Sequence, residues 1–142
     1  MKRAFTIIEL LIVMSLIGTI MLILLPDIKK IKGRRELEIS AREVSVSLNL
    51  IRRKAWAISS QTEFLGENNG YTIRTVSPVS NSILTISSGK LPKGVIFDSP
   101  ATFKFGVSGF PLPGYSGTAV LRGIKDTTIK IIVSSFGRIR IE

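Results

Sequence analysis

The chain has 142 residues, a formal charge of +10, and neither cysteine nor histidine. That removes disulfides, thiolate ligands, the commonest general base and the Ser/His and Cys/His dyads. The carboxylates beyond residue 60 are Glu63, Glu67, Asp98, Asp126 and Glu142. They are spread without pairing, so the composition argues against an enzyme, a metal site or a bound cofactor. Residues 1–60 carry a net +6 and residues 61–142 a net +4. A charge spread in this way suits a basic solvated surface or a helix beside anionic headgroups on one reading, and nucleic-acid contact on the other.

Residues 1–4 are short and basic, with Lys2 and Arg3, and residues 5–25 are almost all apolar, with Glu9 their only charge. A cleaved secretory signal needs small residues in an A-x-A-like pattern after its apolar core. Here the core runs into Leu24-Leu25-Pro26-Asp27 instead. A run of 21 residues also matches the ~20 that a helix needs to cross a bilayer. The expectation is therefore a retained transmembrane helix. Charge counting leaves its orientation open, because Lys2 and Arg3 face a second basic cluster, Lys29, Lys30, Lys32, Arg34 and Arg35. A carboxylate inside such a run is unfavourable, so Glu9 marks a functional position.

The stretch KRAFTIIELLIVMSLIG, followed by LLP, resembles the class III signal of type IV pilins and type II secretion pseudopilins. The resemblance implies that a prepilin peptidase cuts between Ala4 and Phe5 on the cytoplasmic side and that Phe5 becomes the N-methylated first residue. Glu9 then stands fifth and pairs with the terminal amine of a neighbouring subunit. It further implies a cytoplasmic N-terminus, an extracytoplasmic C-terminal domain, and partners comprising other pilin or pseudopilin subunits, the inner-membrane assembly platform and membrane lipid. Gly18 and Pro26 match two helix-weakening positions of such anchors. Ala4 departs from the glycine usual there.

Residues 26–60 read as a second, amphipathic helix, with Pro26 expected to kink the chain and Gly33 to soften it. Leu37, Ala41, Val44, Leu48, Ile51, Ala55 and Ile58 recur at alternating spacings of four and three. That is one helical face. It could form a coiled coil, but burial against the chain's own β-rich part is the preferred reading.

From residue 61 the pattern changes to short alternating runs between Gly, Pro, Asn and Ser. Strands are expected at 61–65, 71–76, 82–87, 94–97, 102–105, 118–122, 128–133 and 138–141, with turns at Asn68-Asn69-Gly70, Ser88-Gly89 and Ser135-Phe136-Gly137. The fold class is thus α+β, pilin-like: a long N-terminal helix, half transmembrane and half amphipathic, packed on a small antiparallel β-domain. The C-terminal half resembles the GspH/FimT-like minor pseudopilins and pilins through FKFGVSGFPLPGYSGTAVL and TIKIIVSSFGRIRIE. The glycines at 106, 109, 114 and 117 lack the ending of a phosphate-binding loop and read as turn residues. In GRIR, alternation puts Arg138 and Arg140 on one face of the last strand, with Ile139 and Ile141 on the other. Some FimT-like subunits are DNA receptors bearing a C-terminal GRxR. The resemblance therefore offers DNA as an alternative partner, with Lys125, Lys130, Arg138 and Arg140 as contacts.

Overall fold

The computed structural model describes residues 6–77 and 79–142, without the side chains of 23–30 and Lys125. It divides into two compact units, 1–33 and 34–142, each described by itself below. The cleavage positions Ala4 and Phe5 lie outside the described residues.

Helix α1 spans Ile7–Ala57. Thr6 caps it, its hydroxyl accepting the Glu9 backbone N–H at 3.3 Å. Thr6-Ile7-Ile8-Glu9 therefore follows the S/T-x-x-E capping pattern, which places a carboxylate at the positive end of the helix dipole. The helical assignment continues through Pro26 and Gly33, so both expected stretches fall within α1. Proline deletes one backbone donor but its fixed φ is helical, and the residues around it are good helix formers. Among the described residues no helix is long and apolar enough to cross a membrane. The apolar run with described side chains, residues 7–22, covers only part of the expected 21-residue span.

The helix ends with Ser59 in the left-handed region at φ 49°. The Ser60 N–H bonds to the Ala55 carbonyl at 3.1 Å, as in a Schellman cap. Six of the seven stripe residues, Leu37, Ala41, Val44, Leu48, Ile51 and Ala55, are at most 1% exposed. Ile58, beyond the helix, is not buried. The stripe thus packs into the chain's own core and does not form a coiled-coil seam.

Among the described residues eight strands follow α1: β1 Thr62–Glu67, β2 Gly70–Val76, β3 Ile83–Lys90, β4 Ile96–Phe97, β5 Ala101–Phe105, β6 Gly117–Arg122, β7 Thr128–Val133 and β8 Ile139–Ile141. They form two antiparallel four-stranded sheets, ordered β3-β2-β1-β5 and β4-β6-β7-β8. Both sheets and the helical stripe contribute to one core. At its centre Phe64 stacks on Tyr71, with ring centroids 5.3 Å apart, and meets Phe97 and Phe103 at 6.4 and 6.3 Å. Thr62 anchors β1 to the helix by donating its hydroxyl proton to the Ile51 carbonyl at 3.1 Å.

Ser88-Gly89 is not the expected turn. Both residues lie within β3, where Gly89 pairs with Tyr71. The Tyr71 ring covers Gly89 so closely that a Cβ there would meet it at 2.3 Å. Glycine is required here by a close approach of side chain to strand, and not by a change of chain direction.

Candidate functional site

Two places carry the residues singled out from the sequence, one in each unit. In the first unit every residue from Ile7 to Leu22 is exposed, and Glu9 is the sole charged residue among them. A helix apolar all round has no solvated face and is stable only when lipid or other helices cover it. Gly18 stands in open space, with no atom within 4 Å of an added Cβ. The Thr6 cap gives Glu9 a local role, one that the Thr-x-x-Glu spacing encodes.

In the second unit the sheet register brings together three of the four candidate cations. Lys130 of β7 lies opposite Glu142, each backbone N–H bonding the other's carbonyl at 2.7 and 2.8 Å. Ile132 lies opposite Arg140. Alternation then puts Lys130, Arg138, Arg140 and Glu142 on one face, all of them exposed. Arg138 precedes β8 rather than lying in it. Its N–H bonds to the Ser134 hydroxyl at 3.1 Å and its carbonyl accepts the Ser134 N–H at 2.9 Å. Of the two isoleucines, Ile139 packs on the core, but Ile141 is 41% exposed because β8 ends at the sheet edge. Lys125 falls in a 3-10 turn, Ile124–Asp126, and its side chain is outside the description.

Sequence reasoning missed Arg52. Its guanidinium donates from Nη1 to the Gly137 carbonyl, fixing the GRIR turn to the helix across 85 positions of sequence. Gly137 and Gly109, at φ +74° and +75°, both press against Arg52. A side chain at either position would be strained by the backbone conformation alone.

Glu63, Asp98 and Glu43 serve structural contacts. Glu63 pairs with Lys104 at 3.0 Å and Asp98 with Arg122 at 3.3 Å. The Glu63 bond, the larger influence, holds the Lys104 ammonium above its usual pKa. Glu43 accepts the Tyr71 hydroxyl proton at 2.8 Å, and the Ser47 hydroxyl donates to the same phenol oxygen at 3.3 Å. Burial is the main reason that the Tyr71 pKa is raised. Among the described residues no three carboxylates gather where a metal could sit.

No protein-family model matches the chain, and no curated protein does either. Its fold, however, is similar to that of the minor pseudopilin EpsH from the type 2 secretion system of Vibrio cholerae. That match has a TM-score of 0.62 at 15% identity, over 75% of this chain and 96% of that one. It is also similar to the type IV minor pilin FimU of Pseudomonas aeruginosa, with a TM-score of 0.61 at 18% identity, over 79% and 92%. A second EpsH structure matches with a TM-score of 0.62 at 12% identity, over 75% and 93%. The architecture is therefore pilin-like, an α+β fold similar to that of a minor pseudopilin and a type IV minor pilin.

Proposed function

We propose that this chain is a minor subunit of a type II secretion pseudopilus or a type IV pilus, assembled through its N-terminal helix and acting structurally near the filament tip. The observation that carries this reading is the run from Ile7 to Leu22, mostly apolar with Glu9 its only charge, and exposed throughout. Such a surface calls for lipid before assembly and for the helices of other subunits afterwards. The pilin-like fold supports the same conclusion.

On this reading the subunit is held in the inner membrane with its N-terminus cytoplasmic. A prepilin peptidase removes residues 1–4, and Phe5 is N-methylated. The new amine and a neighbour's Glu9 form an ion pair in a medium of low dielectric. There a misplaced charge is heavily penalised, so the pair sets the register of docking. Ile39, Val46 and Leu50 are also exposed, at spacings of seven and four, and lie opposite the buried stripe. They give the second unit an apolar line for a neighbouring subunit.

The test is Glu9→Ala in cells that make the filament. The variant should remain in the membrane fraction and be lost from sheared filaments. Normal incorporation would remove the register role of Glu9.

A second reading is favoured by one observation, the shared exposed face of Lys130, Arg138 and Arg140. In this version the subunit also captures DNA, as a minor pilin of natural transformation. Arginines two residues apart on an extended strand stand about 6.7 Å from each other and can each bind a phosphate. Binding by the full chain should fall steeply with salt, and Arg138→Ala/Arg140→Ala should flatten that dependence. Salt-independent binding, or none at low salt, would remove this reading.

A further inference from the structure

Two tight turns dock on the same helical residue and hold large rings out in water. In the first, the Gly106 N–H bonds to the Phe110 carbonyl at 2.9 Å and the Gly109 N–H to the Gly106 carbonyl at 2.8 Å. A bridge between Phe105 and Pro111 closes it. In the second, the Gly137 N–H bonds to the Ser134 carbonyl at 2.8 Å, and Arg138 is tied to Ser134 through both backbone groups. The turns touch, since a Cβ on Gly137 would lie 3.4 Å from the Gly109 carbonyl oxygen. Arg52 contacts both, and Trp56, one helical turn further on, lies beside Gly109.

The rings carried by this assembly are among the most exposed in the chain: Phe136 at 84%, Trp56 at 72% and Phe110 at 53%. Each Phe adjoins a glycine that is pinned against the helix, so its backbone cannot fold back to bury it. Solvent-exposed aromatics held on rigid turns signal a binding surface rather than a failed core. The neighbouring charges are one-sided. Arg52 and Arg53 stand four and three positions before Trp56, and Arg138 and Arg140 follow Phe136, whereas Glu142 is the only acid in the segments 51–56, 105–111 and 134–142. A ligand that suits this surface is a polyanion with accessible flat faces.

We propose that Trp56, Phe110 and Phe136, with Arg52, Arg53, Arg138 and Arg140, form a stacking platform for single-stranded nucleic acid. The inference rests on the DNA-binding reading above and narrows its substrate. A duplex hides the faces of its bases, and only unpaired bases can lie on these rings. Stacking on an aromatic side chain contributes about 1–3 kcal/mol per base and tolerates any sequence. The arginines supply the phosphate contacts and the salt dependence. Because the turns are fixed before binding, little ordering is required when the strand arrives.

The test uses the full chain in non-ionic detergent, with fluorescence anisotropy of labelled oligothymidylate and of a duplex of equal length, each about 16 nucleotides long. Trp56 is the only tryptophan and gives a second readout. The single strand should bind at least ~5-fold more tightly and quench Trp56. Phe136→Ala should weaken single-strand binding roughly 5- to 150-fold, leave duplex binding within about twofold, and be rescued by Phe136→Tyr. Equal or stronger duplex binding, or an equal loss for both ligands, overturns the platform while the DNA reading survives. Failure to bind either nucleic acid overturns both. In that case salt-sensitive binding of a poly-glutamate probe would assign the surface to an acidic protein partner.

Discussion

Two apolar regions of one helix have opposite fates. Leu37, Ala41, Val44, Leu48, Ile51 and Ala55 are almost wholly buried, whereas Ile7 to Leu22 are all exposed, several by more than 60%. Residue type does not separate them, since both are rich in aliphatic side chains. Pattern does. A single stripe at spacings of three and four has a polar remainder for water and needs one partner surface, which the chain's own sheets provide. An apolar cylinder has no such remainder and needs partners on every side.

The contrast can be tested most strongly by truncating one residue on each side of it. Leu48→Ala should lower the stability of unit 34–142 by about 2–5 kcal/mol in urea unfolding, through lost burial and the cavity left behind. Leu16→Ala should leave that unfolding unchanged within about 0.5 kcal/mol and instead reduce recovery in the membrane or filament fraction. If both changes register equally in unfolding, the exposed run is part of the folded core and the contrast fails.

Smaller effects sharpen the description of the buried side. Gly89→Ala forces a methyl group into the Tyr71 ring and should cost about 1–3 kcal/mol. Tyr71→Phe removes the bond to Glu43 and should cost about 1 kcal/mol near neutral pH. The Tyr71 pKa is raised above 10.0 in the folded chain, so its neutral form is favoured by folding and its contribution is present below that pH. It is lost as pH rises through the folded value. Lys104 behaves in the same direction from 10.5 upward, because Glu63 stabilises its charged form. Denaturation midpoints should therefore fall on the alkaline side, and Tyr71→Phe should flatten part of that fall. Ser59→Gly, which relieves a left-handed serine at the helix end, should raise stability by about 1 kcal/mol.

The strands were legible because each alternates between turn residues. All eight expected strands are present, with ends moved by a few residues. Gly89 misled because a glycine accommodating a ring and a glycine reversing the chain look alike in sequence. The Thr6 cap is legible in its spacing with Glu9.

By itself the sequence determined the class of the fold, the stripe that packs inward and the alternation that puts Arg138 and Arg140 on one exposed face. Those are local periodicities, written within a few residues of each other. Only the tertiary structure decided which strands pair into which sheet and that Tyr71 lies over Gly89. It alone brought the turns at 106–109 and 134–137 together on Arg52, leaving Phe136, Phe110 and Trp56 in water. Those relations join residues tens of positions apart, and no local pattern encodes them until the core has closed.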